Sequence, residues 1–300
     1  MRSLFTNRRT IALVLIIAAL GVGVFIFVGL YKRAPLPRAE QAGEAKYFKQ
    51  KVIGASVEGR DITAYQYGKG DTELLFVGGI HGGYEWNSVL LSYQFMDYLE
   101  KNPGAVPGNL TIAVIPSANP DGVYRVVGKV GRFTAADVPT EKEATVPGRL
   151  NAHGVDLNRN FDCKWKPKSM WQAKTVSAGS APFSEPGTKA IRNFVLKNDP
   201  AAVIFWHSQS NAVYASECEA GILPGTLDIM NAYSRASGYP AVKTFDSYEI
   251  TGDAEGWLSS IGIPAITVEL KTHETIEWER NLAGIKALFE YYGKQAGALQ

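Results

Sequence analysis

Apolar and polar positions alternate along this chain in short blocks whose period changes from element to element. Leu74, Leu75, Phe76 and Val77 form an apolar run that reads as a buried strand. It runs directly into Gly78-Gly79-Ile80-His81-Gly82-Gly83-Tyr84-Glu85-Trp86-Asn87-Ser88. Beyond that, Val89, Leu90, Leu91, Phe95, Met96 and Leu99 recur at helical spacing, with Asn87 as the expected N-cap. Residues 51–57 and 62–67 flank a Glu58-Gly59-Arg60 turn and predict a hairpin. Leu110–Ile115 reads as a strand that ends in a dense turn signal over residues 116–122. Residues 125–168 are polar and loop-like, and so long a stretch inside a compact domain is usually functional. Ser184 should cap a helix running to about Lys197, with proline in its first turn. Residues 202–206 form a buried strand that ends on His207, and residues 265–268 one that ends on Glu269. Pro224–Ser237 and residues 274–292 read as helices, the second amphipathic. Strands alternating with helices predict an α/β three-layer sandwich around a mixed, largely parallel twisted sheet.

One block has no polar face. Residues 11–30 are apolar or glycine throughout, between Arg8-Arg9 and Tyr31-Lys32-Arg33. About twenty residues of helix span a bilayer core, and no small-residue cleavage site follows. The expectation is a retained single-pass anchor over residues 11–31, after a short tail (1–10) and before a linker (32–45), with a catalytic domain over 46–300. A long C-terminal domain translocates largely regardless of nearby charge, so it is expected outside the cytoplasm, held at the cell membrane.

Composition narrows the classes further. A formal net charge of +2, with no basic stripe, gives no case for nucleic acid. The two cysteines, Cys163 and Cys218, are too far apart for a C-x-x-C metal site. They pair if the domain is exported or stay as buried thiols, and spacing leaves both open.

The candidate chemistry sits at the ends of the predicted strands. Histidine and glutamate are two-thirds of a common catalytic zinc set, whose third ligand usually comes from far along the chain. His81, Glu85 and His207 supply such a set, and Glu269 a carboxylate to take a proton from water. Parallel strands side by side bring such ends together.

With these residues in place the chain resembles the zinc carboxypeptidases of carboxypeptidase A type, over most of residues 52–292. Gly79-Ile80-His81 with Glu85-Trp86 is similar to the first zinc motif, and Asn119-Pro120-Asp121-Gly122 to a hallmark turn. Gly154-Val155-Asp156-Leu157-Asn158-Arg159-Asn160-Phe161 resembles the substrate-carboxylate motif, the most specific signal in the chain. Trp206-His207-Ser208 looks like the third-ligand motif and Thr267-Val268-Glu269-Leu270 like that of the catalytic glutamate. The family spaces its first pair as H-x-x-E, whereas this chain has H-x-x-x-E with Gly82-Gly83 inside. Glycines tolerate positive φ, so a bulge is expected to absorb the extra residue and return Glu85 to the metal.

The resemblance implies one zinc ion per chain and a peptide substrate with a free C-terminal carboxylate held by Asn158 and Arg159. It implies Arg149 at the oxyanion, with Arg132 as runner-up, Tyr248 as a capping tyrosine and Asp156 behind a ligand histidine. It places residues 251–257 at the pocket for the terminal side chain, where Asp253 and Glu255 would favour a cationic partner, diaminopimelate of cell-wall peptides included. The same acids also fit the first turn of a helix. His153 and His273 match no ligand motif and read as structural or surface residues. The expectation is a membrane-anchored metallocarboxypeptidase with Glu269 as general base. Its rivals are a murein-peptide amidase or endopeptidase and, from another class, an inactive carboxypeptidase-like binding module.

Overall fold

The computed structural model describes residues 48–295. An eight-stranded sheet organises them, in the spatial order β1 (Phe48–Ala55), β2 (Asp61–Gly68), β4 (Leu110–Ile115), β3 (Thr72–Val77), β7 (Ala202–Ser208), β12 (Ala265–Leu270), β8 (Ala212–Ala215), β11 (Ala241–Val242). The first hairpin, β1 and β2, is antiparallel and forms one edge. At the centre β3, β4, β7 and β12 run parallel. The other edge is β8, antiparallel to β12, with β11 beside it. Two short hairpins stand apart, β5 (Lys168–Trp171) with β6 (Lys174–Ser177), and β9 (Glu217–Cys218) with β10 (Gly221–Ile222).

Strand periodicity divides the interior into two cores. Leu74 and Phe76 of β3, Ile204 and Trp206 of β7, and Ile266 and Val268 of β12 lie in one. Their alternates Leu75 and Val77, Val203 and Phe205, and Ala265 lie in the other. The first core is closed by α1 (Trp86–Lys101), α4 (Pro224–Ser237) and α6 (Trp278–Gln295), through residues such as Phe95, Tyr233 and Phe289. The second is closed by α3 (Pro186–Asn198) and α5 (Ala254–Ser260), through Ile191, Phe194, Trp257 and Leu258. The sheet therefore has helices on both faces, as expected of an α/β chain.

Several elements differ from the sequence reading. Asn87 lies inside α1 rather than capping it; its amide donates to the carbonyls of Thr272 and Thr275 at 2.7 and 2.9 Å. The turn signal over residues 116–122 opens a short helix, α2 (Pro120–Val127), capped by the Asn119 side chain on the Gly122 N–H. The cap of α3 falls on Glu185, one residue after Ser184. The closing helix starts at Trp278 because residues 271–277 are drawn into turns against Asn87 and Arg280. The long polar stretch carries three 3₁₀ turns rather than pure loop, and the β5–β6 hairpin begins at its last residue, Lys168.

The cysteines are bonded to each other, Cys163 to Cys218. Among the described residues no helix is long and apolar enough to cross a membrane. The apolar run at residues 11–30 lies outside them.

Candidate active site

The carboxyl ends of β3, β7 and β12 meet at one side of the sheet. Residues His207 and Glu269 are register partners on adjacent parallel strands. His81 follows β3 after a glycine-rich turn, and Glu85 arrives one 3₁₀ turn later (Gly82–Glu85). That turn, rather than a strand bulge, absorbs the extra residue. It needs glycine twice over. Gly82 has φ +47°, and a Cβ there would sit 2.5 Å from the Gly148 carbonyl. At Gly83 a Cβ would meet Val126 at 2.5 Å.

Once the turn is made, the three groups converge. The Nδ1 atoms of His81 and His207 lie 3.1 Å apart, and Glu85 reaches one with each oxygen, at 2.8 and 3.0 Å. All three side chains are buried. Both rings turn their other nitrogen to a carboxylate: His81 Nε2 is 3.3 Å from Asp156 Oδ1, and His207 Nε2 is 3.4 Å from Glu255 Oε1. With the proton on Nε2, two ring lone pairs and a carboxylate point at one another, an arrangement that favours a positive charge between them. His207 shows the same demand. Burial works against its protonation, yet Glu85 and Glu255 outweigh that and raise its pKa well above the ordinary value. For Glu85, burial is likewise overcome by His81 and His207, which hold it well below the usual carboxylate range. A zinc ion would supply that charge, and two imidazoles with a carboxylate are the ligand set it takes in hydrolases.

The remaining predicted residues line a cleft of about 450 Å³ over this set. Arg149 is buried, with Nε and Nη2 on Asp156 Oδ2 at 3.0 and 2.9 Å and Nη1 3.6 Å from Glu85. Burial would raise Asp156, but Arg149 and His81 hold it well below the usual carboxylate range. Arg132 is elsewhere: it pairs with Asp97 at 2.8 Å over the Tyr93 ring on the surface, so the runner-up for the oxyanion role is removed. Asn158 and Arg159 sit in a 3₁₀ turn (Leu157–Arg159) and face the cleft. The Asn158 side-chain oxygen accepts from Ala254 N at 2.8 Å, and Arg159 Nε donates to the Met170 carbonyl at 3.1 Å. Both contacts fix the pair against α5 and β5. Tyr248, half-buried, packs edge-on to Phe245 at 4.8 Å at the rim.

Glu269 is half-buried at the cleft floor, with Ser210 N donating to it at 3.3 Å. Desolvation and the nearby Glu85 charge push its pKa up to about 7, against the pull of His207. A carboxylate poised there is suited to exchange protons near neutral pH. The two acids expected in the side-chain pocket separate in role. Asp253 caps α5, accepting from Gly256 N at 2.7 Å, and burial together with Glu255 raises its pKa to about 6. Glu255 is buried against His207 and Thr267.

Of the two readings left open for His273, structural or surface, the structural one holds, and its place beside the cleft is what the sequence did not show: it is buried, its Nδ1 2.6 Å from Ser208 Oγ and its ring 4.7 Å from that of Tyr84. The motif Trp206-His207-Ser208 contained the anchor, Ser208, but no local pattern points from it to His273.

Fold and site together define a class: an α/β sheet with a His-Glu-His metal centre at its strand ends, of the kind zinc hydrolases use. Residues 41–281 match the family model described as zinc carboxypeptidase, and the chain belongs to the zinc carboxypeptidase family. Among curated proteins it is 25% identical over 238 residues to gamma-D-glutamyl-L-diamino acid endopeptidase 1 of Lysinibacillus sphaericus, covering 73% of this chain and 59% of that protein. It is 30% identical over 171 residues to mast cell carboxypeptidase A of Mus musculus, covering 53% and 39%. The chain thus spans less than two-thirds of the length of these relatives. Its fold is similar to that of thrombin-activatable fibrinolysis inhibitor (TM-score 0.66, 18% identity, 82% of this chain and 69% of that one). It is also similar to murein-tripeptide amidase from Escherichia coli O157 (TM-score 0.56, 22% identity, 85% and 96%).

Proposed function

We propose that the protein is a zinc-dependent peptidase that cleaves the last peptide bond of a substrate ending in a free carboxylate. The observation that carries this reading is the convergence, in one cleft, of the His81-Glu85-His207 set, Glu269, Arg149 and the Asn158-Arg159 pair. His81, Glu85 and His207 would hold the metal, which when bound lowers the pKa of water and polarises a carbonyl. Glu269 accepts the proton of the attacking water. Arg149, rigid against Asp156, stabilises negative charge on the scissile oxygen. Glu269 then returns the proton to the leaving amine. Asn158 and Arg159 hold the terminal carboxylate, for which a planar and permanently charged guanidinium is suited, and Tyr248 covers it.

A second reading, action on cell-wall stem peptides, keeps this machinery and changes the substrate. It is favoured by the likeness to an endopeptidase that acts on a gamma-D-glutamyl-L-diamino acid and by the cleft carboxylate Asp253, complementary to a substrate amine. Anchoring by residues 11–31, with the catalytic domain outside the cytoplasm, fits that substrate; the Cys163–Cys218 bond supports it, since such bonds persist in oxidising compartments. An inactive binding module has less support, because the glycine turn returns Glu85 to the metal set.

Glu269→Gln is the test of the machinery. Turnover of a mixture of C-terminally varied peptides and muropeptides, read by mass, should vanish in the variant while zinc content stays at that of the native protein. Cleavage that survives the substitution would overturn the assignment. In the native protein, chelator-sensitive loss of a terminal residue or of a stem-peptide fragment distinguishes the two substrates.

A further inference from the structure

The two acids of the expected side-chain pocket lie only two positions apart, yet the fold treats them differently. Strand periodicity puts His207 on the same face of the sheet as Val203 and Phe205, and Thr267 and Glu269 on the same face as Ala265. That face is the one α5 covers with Ala254, Trp257 and Leu258. Glu255, in the first turn of α5, is therefore directed down onto β7 and β12, and it is 3% exposed. Its Oε1 accepts from Thr267 Oγ1 at 2.8 Å and lies 3.4 Å from His207 Nε2. That nitrogen is buried, and among the described residues it has no aligned hydrogen-bond partner. Glu255 is the carboxylate within ion-pair range of it. The arrangement repeats the one at the other imidazole, where Asp156 faces His81 Nε2 at 3.3 Å.

We propose that Glu255 is a positioning residue for the zinc ligand His207 and does not select the substrate's terminal side chain. The inference rests on the zinc reading of the site and adds to it a division of labour between two neighbouring acids. A carboxylate on Nε2 fixes the tautomer that offers Nδ1 to the metal, holds the ring plane and makes Nδ1 a better donor. Thr267 keeps the carboxylate from turning away. Buried and engaged in this manner, Glu255 has little left to offer a substrate ammonium. Asp253 is less buried, spends one oxygen on Gly256 N, and is the cleft acid available to a cation.

Zinc affinity, read by competition with a chromophoric chelator, separates the two roles without reference to turnover. Glu255→Gln should weaken zinc binding by about 10- to 100-fold, the usual effect of losing a group behind a ligand. Thr267→Val should weaken it by a smaller factor. Asp253→Asn should leave it within about twofold, because its carboxylate does not touch a ligand. With zinc saturating, Glu255→Gln should keep the native order of preference among C-terminal side chains, and Asp253→Asn should lose any preference for cationic ones. The proposal is overturned if Glu255→Gln binds zinc as tightly as the native protein, or if it changes that preference while its zinc binding is intact. Should Glu255→Gln fail to fold, the native zinc-loaded protein decides by nitrogen NMR. His207 must then show a protonated, exchange-protected Nε2, and a proton on Nδ1 instead would sink the idea. A native protein that takes up no zinc would instead refute the metal assignment, whatever the variants show.

Discussion

At the scale of single residues, the decisive pair is Gly82-Gly83. The extra position between histidine and glutamate looks like damage to a ligand motif when the spacing is read alone. The structure turns it into a 3₁₀ turn whose backbone passes so close to Gly122, Gly148 and Val126 that neither position has room for a side chain. Substituting Gly82 by alanine therefore has two costs, a left-handed φ and a clash with backbone. Gly82→Ala should destabilise the fold by roughly 1–3 kcal/mol and loosen zinc binding by displacing Glu85. Urea unfolding and chelator competition check the two effects separately, and native-like values in both would show that the turn has slack. Glycine doublets are legible as turns; that this one is a wedge between α2 and the turn ending at Gly148 could not be read locally, because Gly148 and Val126 are distant in sequence.

Among elements, the junction of β12 with α6 shows how a polar residue can set where a helix begins. The amphipathic pattern extends back to Glu274, yet the helix starts at Trp278. Glu277 explains the delay: it accepts from Lys271 N at 2.6 Å, from Tyr239 OH at 2.8 Å and from Arg280 Nη1 at 2.7 Å. Burial would raise its pKa, but these donors prevail and lower it. Because the folded value lies below the unfolded one, the unfolded chain binds the proton more tightly. The stabilisation is complete above about pH 4.5, the unfolded value, and is lost as pH falls through the folded one. Glu277→Gln should thus be less stable than the native protein at about pH 7, and the gap should narrow in acid. Denaturant midpoints at the two pH values measure it; a gap that stays constant would show that the charge is immaterial.

Over the whole molecule, the long parallel strands are legible in the sequence because each is a continuous apolar run, and their ends carry the chemistry visibly. Parallel strands end on the same side, so the sequence sends His207 and Glu269 to one edge of the sheet; that they are register partners on neighbouring strands is visible only in the structure. The far edge is not legible in that way. Strands β8 and β11 there, like β9 and β10 of the separate hairpin, have between two and four residues, too few for a period. Helix α5 is only seven residues long, and its acids suggest a pocket until packing places one of them on a ligand. One ion joining β3, β7 and the first turn before α1 should also bind the folded chain and not the unfolded one. At a free zinc concentration about 100 times the dissociation constant, that linkage contributes about 2.7 kcal/mol, which for a domain of this size raises the melting temperature by roughly 5–10 °C. Calorimetry with and without chelator reads the shift, and identical transitions would place the metal outside the native fold.

The Cys163–Cys218 bond joins the segment just after Asn158-Arg159 to β9, across 55 positions of sequence. Neither cysteine belongs to the metal set, whose residues follow β3 and end β7. If Asn158 and Arg159 hold the substrate as proposed, two kinds of readiness are separable in this molecule: loading with metal, and holding the wall that would grip the substrate. On the proposed function, a chain in a reducing environment would reach the first without the second, and its ability to cut would then be tied to where it ends up rather than to when it folds. Replacing both cysteines by serine should lower stability by about 2–4 kcal/mol and raise KM for carboxylate-bearing substrates more than it lowers kcat, with zinc content intact. Dithiol reductants would confuse the experiment by binding zinc themselves, so the serine variant, and not a reduced native sample, is the clean way to ask whether location governs the peptidase.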